Sequence, residues 1–199
     1  MVDRFFIFVG CLAGCTALTS GSDDGKSPLI VDSGGLQGTA QTATPSGMHT
    51  FPVGLVDARD WTVVSAEDDF FLDHRPGEVI CDGLGLHPED GAFEVETTYC
   101  NYASVEQSLQ VDLPSGARLD LLFSHGPLTW TEPTEAHAAV TVDGQLVWER
   151  FVPIPSEGWV YPDEGVLLEA ASKGSIITFH CHNHGANSYR LYAVNWVGS

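Results

Sequence analysis

Basic residues are scarce in this sequence. Lysine and arginine total 8 against 27 aspartates and glutamates, which gives a formal net charge of −19 at pH 7. A surface this acidic repels phosphate backbones and anionic lipid headgroups. The composition therefore excludes nucleic acid as a partner, and attachment to a lipid bilayer must come from a covalent anchor rather than from a basic patch.

Motifs of common hydrolytic and nucleotide-dependent enzymes are also absent. The sequence has no Gly-x-Ser-x-Gly, no His-Glu-x-x-His and no glycine loop of the kind that cradles phosphates. Glu94 and Glu96 share one face of a predicted strand, and a glycosidase needs two carboxylates that face one sugar. In so acidic a chain such pairs are expected by chance, so we predict a binding function rather than catalysis.

Sustained helical periodicity is missing, apart from one short turn predicted near residues 104–107. From about residue 51, short apolar or alternating runs are separated by Gly, Pro and Asp. Residues 93–99 and 109–113 alternate with period two, as half-buried strands do. Asp143-Gly144 between two apolar runs is typical of a tight hairpin. The pattern predicts about eight strands and an all-β fold, an antiparallel β-sandwich of jelly-roll type.

The N-terminal apolar stretch is shorter than the roughly 20 residues that span a bilayer, but it has the length of a secretory signal core. It ends in Leu12-Ala13-Gly14-Cys15, which resembles the bacterial lipobox, where the cysteine thiol is lipidated and the chain is cleaved before it. The resemblance implies a signal peptide at residues 1–14, an acyl anchor on Cys15, and a place in the cell envelope, at the outer membrane or cell surface. An ordinary cleaved signal peptide is the alternative.

The next segment, residues 15–50, is rich in Gly, Ser and Thr and has no periodicity. Such a segment buries too little apolar surface to offset chain entropy. We predict a flexible tether there, followed by the sandwich domain at residues 51–199.

Three cysteines remain beyond the predicted anchor: Cys81, Cys100 and Cys181. In an oxidising compartment we predict a disulfide between Cys81 and Cys100, each of which ends an extended run. Cys181 would then be a free thiol, and its alternation with Phe179 places it toward the core.

A row of histidines near the C-terminus is the most informative segment. On a strand, alternating histidines would face away from Phe179 and Cys181. Aromatic rings stack on the apolar faces of sugars, while imidazole and amide groups bind hydroxyls. We therefore predict a ligand-contact surface, for carbohydrate by preference. Its candidate residues are His180, His182, His184, Asn187, Tyr189 and Trp159.

Two alternatives to sugar recognition stay open for these histidines. His180 and His182 are close enough on a strand to ligate one ion, with His125 or His137 as a third ligand, and zinc or copper suits such a set. That site would make the domain a metal-binding module or a metalloenzyme. Alternatively, the histidines are hydrogen-bonded structural residues of an envelope protein.

A structural calcium ion is a separate expectation, because sandwich domains often hold one through carboxylate and carbonyl oxygens. No EF-hand pattern is present. The acidic residues that would supply it are Asp57, Asp60, Glu67, Asp68 and Asp69.

The domain is similar to predicted lipoproteins of myxobacteria and their relatives over residues 75–197. The runs that carry the resemblance are Cys100-Asn101-Tyr102, Glu135-Ala136-His137-Ala138-Ala139, Val147-Trp148-Glu149, Ile154-Pro155 and residues 182–189. It implies a sandwich domain at the cell surface, and the closing strands resemble galactose-binding-like jelly rolls. We expect a surface-anchored lipoprotein with a non-catalytic binding domain.

Overall fold

The structure is a computed structural model that describes residues 52–198. The predicted signal peptide, Cys15 and the tether lie outside these residues. Within them there is no helix that is long and apolar enough to cross a membrane. One short 3-10 helix covers Leu72–His74. The strands are β1 (Val53–Gly54), β2 (Thr62–Val63), β3 (Leu86–Glu89), β4 (Ala92–Glu96), β5 (Tyr102–Ser108), β6 (Ala117–His125), β7 (Thr134–Val142), β8 (Gln145–Ile154), β9 (Trp159–Leu167), β10 (Ile176–His182) and β11 (Ser188–Gly198).

These strands form two antiparallel sheets. The first has the order β3-β4-β11-β6-β9, and β1 also pairs with β11. The second has the order β2-β5-β10-β7-β8. Inward-facing side chains of both sheets form one hydrophobic core. The predicted all-β antiparallel sandwich is therefore confirmed.

Alternation along the strands decides which residues reach that core. In β10 the side chains of Phe179 and Cys181 belong to it, and Phe123 of β6 faces them from the opposite sheet. His180 and His182 alternate with these two residues along β10, and they therefore lie on the outer face of the second sheet. Cys181 is a free and fully buried thiol, and burial raises its pKa.

The hairpin between β7 and β8 forms where the sequence predicts it. Asp143 and Gly144 have φ angles of 46° and 75°. Positive φ at both central residues matches the right-handed twist of the flanking strands.

Two local predictions are wrong. Residues 104–107 do not form a helical turn but lie inside β5, because that strand is hydrogen-bonded on both sides, to β2 and to β10. Residues 109–113 do not form a strand. Leu109 and Leu113 are buried, and Leu113 makes a single bridge to Ala171.

The structure contains the predicted disulfide between Cys81 and Cys100. Cys100 is buried just before β5, and Cys81 is exposed. The chain leaves the second sheet after β2 and returns to it at β5, and we call this stretch, residues 64–101, the excursion. The disulfide fixes its C-terminal end.

Candidate functional site

The row of histidines that the sequence predicts as a contact surface is divided where β10 ends. His182 is the last residue of that strand, and His184 and Asn187 follow in the next loop. His180 and His182 face away from the core, as predicted. Tyr189 belongs to β11 in the other sheet, and its ring is buried in the core.

The six predicted contact residues therefore do not form one surface, which corrects the expectation from the sequence. His180 and Tyr189 are fully buried. The Asn187 side chain connects two loops: its Oδ1 accepts the backbone N–H of Thr129 at 2.8 Å, and its Nδ2 donates to the His184 carbonyl at 3.0 Å. Of the rest, His184 and Trp159 are exposed and His182 is half-buried.

The outer face of the second sheet carries a group of polar and aromatic side chains. The register places Tyr102 of β5 and His137 of β7 on either side of His182. It places Ser104 beside His180 in the same way. Because paired residues of neighbouring strands point to the same face, all five side chains lie on one patch.

A segment from the excursion after β2 covers this patch. We call it the cover segment, residues 65–75. Phe71 stacks on the His180 ring with centroids 4.3 Å apart and planes 18° from parallel. His180 is buried for this reason, although its strand turns it away from the sandwich core.

Asp69 holds the cover segment in place. Its Oδ2 accepts hydrogen bonds from the Tyr102 hydroxyl at 2.6 Å and from Arg75 Nη1 at 2.8 Å. Its Oδ1 accepts from the backbone N–H of Phe71 and from the Ser104 hydroxyl, both at 3.0 Å. Burial alone would raise the pKa of Asp69, but these hydrogen bonds outweigh it and the pKa lies below its usual value. The carboxylate therefore stays charged and fully bonded.

The cover segment brings a fourth histidine to the patch, beside His137, His180 and His182. His74 ends the 3-10 helix, and its ring centroid lies 5.0 Å from that of His137 and 5.0 Å from that of His180. The His137 and His180 centroids are 5.4 Å apart. One nitrogen of each ring lies within 4.8 Å of a nitrogen of each other ring. We call His74, His137 and His180 the histidine cluster.

Burial lowers the pKa values of the two buried members of the cluster, His137 and His180. Burial, together with the charges of the neighbouring imidazoles, lowers the pKa of His180 to about 2, with the backbone at Ala103 acting in the opposite direction. Burial also lowers the pKa of His182 to about 4 and lowers that of His137, where Glu149 acts in the opposite direction. Neutral imidazoles have a free nitrogen lone pair, which is the form that binds metal ions.

This cluster revises the ligand set expected for a metal. His137 and His180 meet as expected, but His125 lies in the other sheet, where its Nδ1 is 2.6 Å from the Gly126 carbonyl oxygen and its Nε2 is 3.2 Å from the Tyr161 hydroxyl. His182 lies next to the cluster and outside it, with its centroid 5.9 Å from that of His74.

His74 was missed because no periodicity links the cover segment to the sheet. The signal that existed was the apolar pair Phe70-Phe71 inside an acidic loop. Two large aromatic rings in a run of carboxylates indicate a segment that packs onto the domain.

The carboxylates considered for catalysis already have hydrogen-bond or ion-pair partners within the protein. Glu94 is buried and bonded to Arg190 and to the Ser188 hydroxyl. Arg190 also contacts Glu89, so a cation already sits between these two glutamates. Glu96 accepts hydrogen bonds from the backbone N–H and the hydroxyl of Thr98.

The acidic residues expected to bind calcium do not converge. Asp57 Oδ1 accepts the backbone N–H of Arg59, Asp68 accepts the Ser65 hydroxyl, and Asp69 points into the patch described above. Across residues 52–198, no three of this acidic set come within ligand distance of one another.

A second candidate site lies at one end of the sandwich, where loops 126–133, 155–158 and 183–187 meet. Leu128 and Ser156 form a bridge between the first two loops. Gly185 has a φ of 98°, and a Cβ there would lie 2.5 Å from the Thr129 carbonyl oxygen, so the third loop packs closely on the first. Trp130 and Trp159 are 49% and 62% exposed at this end.

Trp159 also borders a shallow depression of about 400 Å³. Ser124, His125, Gly158 and Val160 line the rest of it. The register pairs Trp159 with His125, so the exposed indole and the imidazole lie on the same face of the sheet, and β9 is hydrogen-bonded along its whole length to β6.

Comparison with known proteins gives only remote likenesses. No family model matches the chain, and no curated protein matches it. Among solved structures, a CBM4 aligns over 71% of this chain and 88% of its own, with 12% identity and a TM-score of 0.43. TmCBM61 in complex with β-1,4-galactotriose covers 61% and 88%, with 16% identity and a TM-score of 0.37. The N-terminal cellulose-binding domain of Cellulomonas fimi β-1,4-glucanase C covers 64% and 91%, with 18% identity and a TM-score of 0.35. Likenesses this remote carry no argument about what this chain binds.

Proposed function

We propose that this chain is a lipoprotein of the cell envelope whose β-sandwich is a non-catalytic binding module for carbohydrate. The observation that supports a carbohydrate ligand is the indole of Trp159, which is 62% exposed and borders the depression lined by Ser124 and His125. An exposed tryptophan beside polar groups on a rigid strand suits the mixed apolar and hydroxyl surface of a sugar ring.

The chemistry of the depression fits that ligand class. An indole offers a large, flat apolar surface on which the C–H face of a pyranose can stack. The His125 ring is held on both nitrogens, and burial lowers its pKa. The site therefore presents no positive charge from this ring, as a neutral glycan requires.

The loops around Trp159 are fixed by the Leu128–Ser156 bridge and by the Asn187 side chain. A binding surface that is ordered before the ligand arrives loses less entropy on binding. Exposed His184 and Trp130 lie on these same loops and offer a second contact area for a longer glycan.

A glycan array with the purified protein tests the function. The glycan that binds best is then measured by calorimetry against Trp159→Ala and against a matched control, Leu168→Ala, which is also exposed, at 73%, and lies just beyond the other end of β9. We expect Trp159→Ala to weaken binding at least tenfold, since stacked apolar area of this size is worth about 1.5–3 kcal/mol. Leu168→Ala should bind as the wild type does.

Two results would count against the carbohydrate proposal. One is an array with no signal above background. The other is a glycan that binds Trp159→Ala as tightly as the wild type. With no ligand at all, a purely structural role in the envelope becomes the better description.

The envelope anchor is tested separately. We expect the mature protein to partition into detergent and to carry acyl mass on Cys15, and we expect Cys15→Ser to remove both properties. Mass spectrometry of the mature N-terminus measures this directly. A water-soluble, unacylated chain would contradict the anchor and leave the binding proposal intact.

A further inference from the structure

We infer that His74, His137 and His180 form a binding site for a divalent transition-metal cation that prefers imidazole ligands, Zn²⁺ or Cu²⁺. The site lies under the cover segment, on the outer face of the second sheet. It shares no residue with the carbohydrate depression and is independent of that proposal.

The first argument comes from unpaired nitrogens. His180 is fully buried, and neither of its ring nitrogens makes a hydrogen bond of normal geometry; His137 Nδ1 is buried and unpaired as well. A neutral imidazole always carries one N–H donor and one acceptor nitrogen. Buried polar groups in proteins are almost always paired, and leaving one unpaired is costly. One ion binds one nitrogen of each ring, so a metal ion here would give His137 Nδ1 and one of the two His180 nitrogens the partner that the protein does not supply.

The second argument comes from Glu149. Its carboxylate lies 3.3 Å from His137 Nε2, while Nδ1 of the same ring faces no partner. A carboxylate that accepts the proton on one nitrogen fixes the lone pair on the other. This carboxylate–histidine pairing is the usual support of a metal-ligating imidazole.

Aromatic rings enclose the cluster on both sides. Phe71 stacks on His180, and Phe151 stacks on His137 with centroids 4.4 Å apart and planes 10° from parallel. These contacts restrict ring rotation and keep the surroundings of the cluster apolar. A low-polarity shell strengthens the bond between an ion and its ligands.

The donor set selects the ion. Three imidazole nitrogens and no thiolate suit Zn²⁺ and Cu²⁺, whereas Ca²⁺ and Mg²⁺ require oxygen ligands. The only free thiol in the described part of the chain, Cys181, points into the core on the opposite face of the sheet.

The distances are compatible with closure around an ion. The ligand nitrogens lie within 4.8 Å of one another. Bonds of about 2.0–2.1 Å in a tetrahedral site would bring them to about 3.3 Å, so the rings must approach by up to about 1.5 Å. His74 is partly exposed on a short helix at the end of the cover segment, and small movements there can provide this approach. Three protein ligands leave a fourth position for water or for the neighbouring His182.

The test uses full-length protein in detergent, without a histidine tag and stripped with a chelator. Zn²⁺ and, separately, Cu²⁺ are titrated in competition with a chromophoric chelator. The variants are His74→Ala, His137→Ala, His180→Ala and Glu149→Gln. The matched control is His184→Ala, an exposed histidine two residues beyond His182 and outside the cluster. Far-UV circular dichroism verifies the fold of each variant.

We expect one equivalent of ion per chain. Glu149→Gln should weaken binding about 10–100-fold, as the loss of an outer-shell partner does, and each cluster variant should weaken it more. His184→Ala should bind like the wild type. His74→Ala is the decisive variant, because this partly exposed side chain can be removed while the sheet keeps its core.

Three outcomes would overturn the inference: no saturable binding of either ion, a folded His74→Ala that binds like the wild type, or a His184→Ala that loses as much affinity as the cluster variants. Glycan binding measured in chelator is unaffected by any of these results, so the two proposals fail separately.

Discussion

The substitution Asp69→Asn should release the cover segment, residues 65–75, from the outer face of the second sheet. The wild-type carboxylate is the acceptor for four donors: the Tyr102 and Ser104 hydroxyls, the Phe71 N–H and Arg75. An amide has the same shape, but it keeps only one acceptor oxygen and directs an N–H₂ group at donors.

The magnitude follows from those contacts. Hydrogen bonds to a charged group contribute about 1.5–3 kcal/mol each, and removing one partner of a buried ion pair costs about 3–5 kcal/mol. Arg75 is 22% exposed while the Asp69 side chain is fully buried, so solvent recovers part of the loss. We expect the free energy that docks the cover segment to fall by about 3 kcal/mol.

Hydrogen exchange measured by mass spectrometry separates local from global effects. Peptides from residues 65–75 of Asp69→Asn should exchange much faster than in the wild type, while β10 and β6 keep most of their protection. In urea, with a slope near 2 kcal/mol/M, a loss of about 3 kcal/mol would lower the midpoint by about 1.5 M if the cover segment unfolds with the sandwich. The control is Asp68→Asn, an exposed neighbour whose carboxylate binds only Ser65, and it should change neither measurement. Unaltered exchange at residues 65–75 in Asp69→Asn would refute the reasoning.

Two further predictions concern stability. In metal-free protein, lowering the pH from 7 to 5 should reduce the free energy of unfolding by about 2 kcal/mol through His180 alone. The reason is that its pKa is about 2 in the folded protein, whereas a histidine in the unfolded chain titrates near 6.5 and takes up a proton in this range. Urea titrations in chelator at both pH values measure the change, and equal stability would contradict the prediction. Replacing both Cys81 and Cys100 by alanine should lower the free energy of unfolding by about 3 kcal/mol, since the disulfide closes a loop with a sequence separation of 19. Urea unfolding of the double variant measures the loss. An unchanged midpoint would show that other contacts hold the chain between β2 and β5.

Local rules predicted the parts of the fold that depend on neighbouring residues. Asp143-Gly144 forms the hairpin because positive φ is needed there and this pair accepts it. The alternation of Phe179 and Cys181 with His180 correctly assigned the two faces of β10, because a strand has a period of two whatever its partners are.

Long-range pairing determined the rest, and the sequence does not display it. Tyr189 follows His184 by five residues, so the sequence groups them, but β11 belongs to the other sheet and turns Tyr189 into the core. Residues 104–107 are extended because two strands pair with them, a tertiary effect that overrides local preference.

The candidate metal site shows the same limit. His137 precedes His180 by more than forty residues and meets it because β7 pairs with β10. His74 reaches both because Asp69 holds the cover segment against Tyr102 and Ser104. No spacing rule connects two paired strands with a loop segment that a buried carboxylate holds against a third strand, β5.

X-ray absorption at the metal edge of protein loaded with one equivalent of zinc tests most directly whether the cover segment completes a site on the sheet. The structure predicts a shell of nitrogen ligands at about 2.0–2.1 Å with the outer scattering of three imidazoles, falling to two in His74→Ala. A sulfur shell near 2.3 Å, or the same three-imidazole signal from His74→Ala, would contradict the arrangement described for His74, His137 and His180.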